Sequence, residues 1–348
     1  MKKMLILLVL AALLASTLVA CGGGAAAPGG GQAAPPANEG QVFNFRFNHG
    51  GSEATLIHQA TVHFAEQVYE LSNGQIIVEI FPNAGLGPEA TTLEALQMGD
   101  IEFTSVNSGA LVSFAREWGI FATPFAFPDT ATAHAVMDGP FGARMVAYLE
   151  PQGFTGLGFL ESTAFRQTTS SRPIRQLEDL SGLRIRVLDN PIQIRIWESL
   201  GAAPTPIPFA ELYTALQQGT VDAMENPIEL ITAMRFYEVQ DYIILTDHAF
   251  QTSQLLMSSR VFNQLPADLQ EAVREAGRRA VSYQRSRFDE VYPTLLNHLR
   301  EQGVEIIELS AGERERFRQA SEGALDFIRE QVGSELVDNL LESIEAVR

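Results

Sequence analysis

The chain has only one cysteine, Cys21, in 348 residues. A single thiol can form neither an intrachain disulfide nor a multi-thiolate metal site. The six histidines form no HExxH pattern, and His58 and His63 are five residues apart, which puts them on different faces of a helix. The GxSxG, Walker and post-strand GxGxxG patterns are also missing. We therefore predict no catalytic machinery, no metal site and no cofactor.

Basic residues are scarce as well. The chain has 24 lysines and arginines against 42 aspartates and glutamates, a net charge of -18. So acidic a protein is not expected to bind nucleic acid or to dock on an anionic membrane surface. It also repels anions at long range, so an anion site would have to be built locally from arginines.

A long apolar run occurs only near the start of the chain. Lys2 and Lys3 precede an unbroken apolar run, Met4 to Leu14, which is too short to span a membrane and is typical of a secretory signal. We predict that residues 1–20 are such a signal. The tetrapeptide Leu18 to Cys21 resembles the lipobox of bacterial lipoproteins. The resemblance implies that Cys21 receives lipid, becomes the mature N-terminus and anchors the protein on a membrane.

Residues 21–40 are predicted to be a disordered tether. Sixteen of the nineteen residues from Gly22 to Gly40 are glycine, alanine or proline, and such a segment has nothing to bury. Loss of Lys2 and Lys3 with the signal leaves 22 basic residues against 42 acidic ones, so the exported form has a net charge near -20.

The remaining residues alternate between strand-like and helix-like segments, the pattern of an α/β fold. The segment from Val42 to Val106 reads as β-α-β-α-β, the start of a doubly wound lobe. The apolar residues from Ala267 to Gln302 keep a helical spacing over about thirty residues. A helix of that length must span more than one lobe. Pro293 lies inside it and is expected to kink or split it.

Arginines in apolar surroundings are the clearest sign of a binding site. In the strand Leu183 to Val187, alternation places Arg184 and Arg186 on the face opposite the apolar side chains. Arg166 lies at the start of another strand, Phe165 to Thr169. A guanidinium matches a carboxylate with two hydrogen bonds, so these arginines are candidates for binding an organic acid. Alternation alone leaves open that they pair with surface aspartates and glutamates.

Several longer stretches resemble one family, the solute-binding proteins of tripartite ATP-independent periplasmic (TRAP) transporters. The stretches are FRQTTSSRPI (165–174), GLRIRV (182–187), GAAPTPIPFAELYTALQQGTVDAMENP (201–227) and RFYEVQDYIILTDH (235–248). The resemblance covers the chain from Val42 onward. It implies two α/β lobes that close over a ligand like a clamshell, with a long helix across both. We expect the first lobe in 41–163 plus about 252–290, and the second in 164–251 plus part of 291–348 with the C-terminal helices.

The resemblance also implies roles for single residues. Arg186 matches the arginine that forms a two-point salt bridge with the ligand carboxylate, and Arg166 matches a second arginine near it. Asn226 matches an asparagine that donates its amide to the carboxylate. Phe209 matches an aromatic residue that packs on the ligand, and Asn48 a polar residue of the first lobe. From residue type alone, Phe209 could instead cap a core and Asn226 could form a turn before the next proline.

Five positions depart from the family pattern. Leu188 replaces a common proline, Ala223-Met224 replaces Gly-Gln before the ENP motif, and Pro293 interrupts a helix that is usually free of proline. Asn107, a further candidate ligand-binding residue, lies where sialic-acid binders have an acid, which argues against sialic acid as the ligand.

We therefore expect a monomeric, non-enzymatic protein that binds a small monocarboxylate, dicarboxylate or sugar acid. It would be lipid-anchored on the periplasmic or extracellular face of the cytoplasmic membrane. There it would deliver the acid to the small and large membrane subunits of a TRAP transporter. Two alternatives stay open at this point: a binding protein that reports to a sensor kinase or chemoreceptor, and a secreted hydrolase with the same fold.

Overall fold

The computed structural model describes residues 40–160 and 165–348. The predicted signal, the lipidation site Cys21 and nearly all of the predicted tether lie outside these residues. Within them, the strands β1 to β11 are Phe43–His49, Ile76–Phe81, Phe103–Asn107, Phe154–Leu160, Phe165–Ser170, Arg184–Val187, Ala203–Pro206, Ala223–Pro227, Tyr242–Phe250, Ser253–Ser258 and Glu305–Glu308.

The helices α1 to α11 alternate with these strands over most of the chain. Their bounds are Leu56–Leu71, Glu89–Met98, Thr130–Asp138, Pro140–Ala147, Pro191–Ser199, Leu212–Gln217, Ile228–Ala233, Ser259–Phe262, Ala267–Glu301, Ala311–Val332 and Ser334–Val347. None of the helices in the described ranges combines the length and the apolar character that a membrane span needs.

The first sheet has the strand order β2-β1-β3-β10-β4. β1 is parallel to both β2 and β3, which confirms the predicted β-α-β-α-β unit at the start of the domain. Alternate side chains of β1 point inward, and Phe47 packs edge-on against Phe64 of α1 and stacks on Phe103 of β3. This aromatic cluster packs α1 against one face of the sheet.

The second sheet has the order β11-β9-β5-β8-β6-β7. Its central strand pair is antiparallel, with Arg166 of β5 opposite Pro227 of β8. β6 is parallel to β8 and β7, and its apolar residues Ile185 and Val187 are fully buried. The predicted strands around both arginines are therefore confirmed.

Each sheet takes its strands from one of the two predicted lobes. Strands of the first sheet come from 43–160 and 253–258, and those of the second from 165–250 and 305–308. β9 ends at Phe250 and β10 begins at Ser253, so the chain passes from the second sheet back to the first within a few residues. That the lobes move as separate bodies stays a prediction.

Helix α9 has 35 residues and, at 1.5 Å per residue, is roughly 50 Å long. Val273 and Ala276 pack in the core beside the first sheet, and Leu299 packs in a core beside the second. The helix continues without a break through Pro293, so the prediction that the proline could split it is wrong. Pro293 and Asp289 lie on the exposed face, where water can donate a hydrogen bond to the Asp289 carbonyl oxygen, which proline leaves without an N–H partner.

Candidate functional site

A cavity lies between the two sheets, at the ends of β1, β3 and β6. This is where parallel strands of α/β proteins usually place a ligand. Residues from both sheets line it: Gly50, Gly51, Ile57, Glu89, Ser105, Asn107, Arg166, Arg186, Leu188, Phe209, Asn226, Leu230, Gln251 and Ser253. Five of the six predicted ligand-binding residues are among them. The exception is Asn48.

Arg186 supplies a buried cation with an unused donor. Its side chain is only 1% exposed, and its Nε donates to the backbone oxygen of Ile207 at 2.8 Å. Its Nη2 has no hydrogen-bond partner within the described residues. Burial lowers the pKa of the Arg186 guanidinium to about 10, so the group still carries its charge at neutral pH. A buried guanidinium with one free edge calls for an anionic partner.

Arg166 is already paired with an acid from its own sheet. Its Nη2 donates to Glu225 Oε1 at 2.8 Å and to the Glu225 backbone oxygen at 2.6 Å, and its Nε contacts the second carboxylate oxygen. His248 Nε2 lies 3.2 Å from the same oxygen. Burial alone would raise the pKa of Glu225, but the Arg166 charge and the bonds from His248 and Arg166 outweigh it and lower that pKa to about 2. The Arg166 charge is therefore balanced inside the protein.

Asn226 and Gln251 complete the surroundings of Arg166. Arg166 Nη2 donates to Asn226 Oδ1 at 3.0 Å, and Arg166 Nη1 donates to Gln251 Oε1. The Asn226 amide nitrogen lies 3.4 Å from the sulfur of Met224, which is a weak acceptor. Met224, one of the departures from the family pattern, is thus a neighbour of the site residue, while Leu188 lines the cavity itself. The amide of Asn226 keeps donor capacity for a ligand.

Phe209 closes one side of the cavity next to Arg186. Its ring centroid is 6.0 Å from Arg186 Cζ and 6.0 Å from the ring of Phe236. Gly50 approaches from the other sheet, because a β-carbon there would lie 3.4 Å from Phe209 Cδ1. The aromatic side chain therefore limits the cavity beside the cation, where it excludes water and strengthens electrostatic attraction.

Glu89 and Asn107 form the opposite wall. The Asn107 backbone N–H donates to Glu89 Oε1 at 2.8 Å, and the Asn107 side chain accepts from Gly109 N at 2.7 Å. Burial raises the pKa of the Glu89 carboxyl, against the Asn107 hydrogen bond and the charges of Arg186 and Arg166. The sequence reasoning missed Glu89. Its signal was the acid at the first position of a helix after Gly-Leu-Gly-Pro.

Asn48 lies behind this wall, with both ends of its amide in use. Its Nδ2 donates to Gly87 O at 3.0 Å and to Thr92 Oγ1 at 2.7 Å, and its Oδ1 accepts from Leu86 N at 3.1 Å. These bonds hold the turn before α2 and the first turn of α2, which begins at Glu89. Asn48 is buried and is not among the residues that line the cavity.

The cavity thus offers anion-binding chemistry. It combines one unpaired guanidinium, an amide, an aromatic face and a buried carboxyl. Within 40–160 and 165–348, no group of three or more histidine, cysteine, aspartate or glutamate side chains is arranged to hold a metal ion. The arrangement can bind a carboxylate by hydrogen bonds and charge.

Comparison with known proteins agrees with this geometry. Residues 47–331 match the family described as bacterial extracellular solute-binding protein, family 7 (DctP). The chain is 32% identical to the 2,3-diketo-L-gulonate-binding periplasmic protein of Escherichia coli (strain K12), over 76% of this chain and 80% of that protein.

Solved structures show the same fold. The sugar acid binding protein of Advenella mimigardefordensis strain DPN7T, in complex with galactonate, has a TM-score of 0.86 and 33% identity and covers 88% of this chain and 99% of its own. A TRAP periplasmic solute-binding protein of Sulfurospirillum deleyianum DSM 6946 with bound succinate has a TM-score of 0.83 and 26% identity. The match covers 88% of the present chain and 100% of that protein's chain. The members of this family are solute-binding proteins of transporters rather than enzymes. The chain belongs to bacterial extracellular solute-binding protein family 7, the DctP-like solute-binding proteins of TRAP transporters.

Proposed function

We propose that this protein binds a small organic acid between its two sheets, with the ligand carboxylate on Arg186, and delivers it to the membrane subunits of a TRAP transporter. The observation that carries the proposal is the Nη2 of Arg186, which is buried, lines the cavity and has no partner in the described part of the chain. A buried cation with an unmet donor is stabilised by an anion that enters the cavity.

The other predicted residues would assist Arg186. Asn226 would donate its amide to the carboxylate, and Phe209 would pack on the ligand. Asn107 would contact the ligand from the opposite wall. Arg166, held by Glu225, would give a second donor edge near the carboxylate. Asn48 would act indirectly, because its bonds to Leu86, Gly87 and Thr92 hold the start of α2 and so position Glu89.

The relatives support an acid as ligand. The bound molecules named for them are galactonate and succinate, and the Escherichia coli protein is named for 2,3-diketo-L-gulonate. All three are carboxylates, which is the group that Arg186 is placed to bind.

Export and anchoring are part of the proposal. We infer that residues 1–20 direct secretion, that Cys21 carries lipid, and that the glycine- and proline-rich segment up to residue 40 tethers a monomeric domain. The charge of the body is consistent with a lipid anchor, because an acidic surface has no attraction for anionic lipids. Intact-mass analysis of membrane-extracted protein tests it: a mature chain that starts anywhere but Cys21 contradicts lipidation.

Arg184 provides a matched control for the ligand site. It lies two residues from Arg186 on the same strand but is half exposed and pairs with Asp222. Thermal-shift screening against organic acids selects a ligand, and titration calorimetry then compares wild type, Arg186→Ala and Arg184→Ala. We expect Arg186→Ala to bind the acid at least roughly 30-fold more weakly, because the carboxylate loses its buried partner. Arg184→Ala should bind like wild type. Equal affinity of Arg186→Ala and wild type would overturn the site assignment.

A further inference from the structure

Of the two arginines that line the cavity, Arg166 is paired with an acid. Arg166 contacts both carboxylate oxygens of Glu225, and both side chains are almost fully buried. Glu225 stays ionised far below neutral pH, so the pair is neutral as a unit. Only Arg186 keeps an uncompensated charge at the place where a ligand carboxylate would bind.

No other cation lines the cavity. Apart from the two arginines, its described lining consists of neutral side chains, glycines and one acid, Glu89. The residues 161–164, which the structure does not describe, have the sequence ESTA and carry no basic group. Within the described residues, the cavity therefore supplies one positive charge for a ligand, and the one further ionisable group of that lining is an acid, Glu89.

The rest of the described lining offers polar partners that carry no positive charge. Ser105 is buried and lines the cavity, and its Oγ has no hydrogen-bond partner in the described residues. Asn107 and Glu89 lie on the same wall. Buried hydroxyl and carboxyl groups of this kind are satisfied by ligand hydroxyls.

We propose that the site selects acids with a single carboxylate and a hydroxylated, uncharged remainder, and that it rejects dicarboxylates. The inference rests on the proposed function and makes its ligand class narrower. A second carboxylate would enter the closed cavity without a cationic partner and would approach Glu89. An unpaired buried charge is strongly unfavourable, and Glu89 offers it no positive charge to pair with.

Matched acids test this directly. Titration calorimetry compares D-erythronate with meso-tartrate and galactonate with galactarate, pairs that differ only in whether the far end is a hydroxymethyl or a carboxylate group. Succinate serves as a dicarboxylate without hydroxyls. We expect the monocarboxylate of whichever pair fits the cavity to bind at least roughly 100-fold more tightly than its dicarboxylate.

A variant of Glu89 adds a test of the cause. Glu89→Gln removes the acid from the wall of the cavity. It should reduce the ratio of the monocarboxylate affinity to the dicarboxylate affinity by about ten-fold. Glu94→Gln is the matched control, because Glu94 lies on the exposed face of the same helix, α2. It should leave the ratio unchanged.

Two outcomes separate this inference from the function on which it rests. If a dicarboxylate binds as tightly as its monocarboxylate and both are lost in Arg186→Ala, the selectivity is overturned and organic-acid binding stands. If none of these acids, and no acid of the wider screen, binds to wild type, the proposed function fails and the selectivity fails with it.

Discussion

Arg184 and Arg186 lie on one strand, two residues apart, and strand alternation assigns them to the same face. In the folded protein Arg184 pairs with Asp222 at the surface, whereas Arg186 is buried against Phe209 and Ile207. Ile207 and Phe209, which make these contacts, belong to the segment that follows β7. For Arg166, too, the sequence predicted the strand but not the surroundings of the side chain, because its partner Glu225 lies 59 residues away in sequence. The proposed carboxylate site therefore depends on pairings that no local pattern reports.

At this scale we predict the effect of changing the shape of the cation while keeping its charge. Arg186→Lys loses the planar fork that can bond both ligand oxygens, so we expect the affinity for the acid to fall by about 5- to 150-fold, roughly 1–3 kcal/mol. Titration calorimetry measures it, and Arg184→Lys is the control. An unchanged affinity would mean that Arg186 acts only as a point charge.

The N-terminus of α1 meets α7 next to the cavity. The Leu56 N–H at the start of α1 donates to Oε1 of Glu229, a residue of α7, at 2.7 Å. The other oxygen of Glu229 is buried without a partner in the described chain. Burial raises the pKa of Glu229 to about 8, although the Leu56 N–H opposes the shift. Burial therefore favours the protonated form of Glu229 in the folded protein, even though the hydrogen bond from Leu56 favours the ionised form.

Glu229 makes stability depend on pH in a defined direction. Between the ordinary pKa of about 4.5 and the folded pKa of about 8, the folded protein holds a proton that the unfolded chain has released. Stability should therefore fall as pH rises through this window. Glu229→Gln should remove this loss and be more stable than wild type by roughly 2–4 kcal/mol above pH 8, but not near pH 4.

Urea unfolding at several pH values measures the difference between the two proteins. Glu66→Gln, at an exposed position of α1, is the control and should follow wild type throughout. If Glu229→Gln and wild type keep the same stability difference from pH 4 to pH 9, Glu229 does not titrate in this range and the explanation is wrong.

At the scale of the whole molecule, the cavity is lined from both sheets, so a bound acid touches both at once. Ligand binding should then favour a closed arrangement of the predicted lobes, because the closed form alone makes all of the contacts. Hydrophobic clusters at the two ends of α9 pack beside separate sheets, and a third cluster contains residues of both sheets, among them Leu256 and Ile185.

Small-angle scattering measures this closure. We expect the radius of gyration to decrease when the tightest-binding acid of the thermal-shift screen is added to saturation, and to stay constant for Arg186→Ala under the same conditions. A radius of gyration that does not change in wild type at saturating acid would contradict the clamshell.

The amino-acid sequence by itself determined the features that depend on near neighbours. The strands around Arg166 and Arg186, the helix from Ala267 and the export-like start are all visible as local patterns of apolar, polar and small residues. Family resemblance added the approximate set of cavity residues. Local patterns work here because the side-chain period of a strand or helix is set by backbone geometry.

Only the tertiary structure decided which charges are free and which groups face the ligand. Glu225 neutralises the charge of Arg166. The Asn48 amide is hydrogen-bonded to the segment 86–92 and not to the cavity. Glu89, which lines the cavity, is held by a hydrogen bond from the Asn107 backbone N–H. Each of these outcomes depends on groups brought together from distant parts of the chain. Burial of these groups then sets how unfavourable, in free energy, an unpaired charge is. A local stretch of sequence cannot show this, because burial depends on the whole fold.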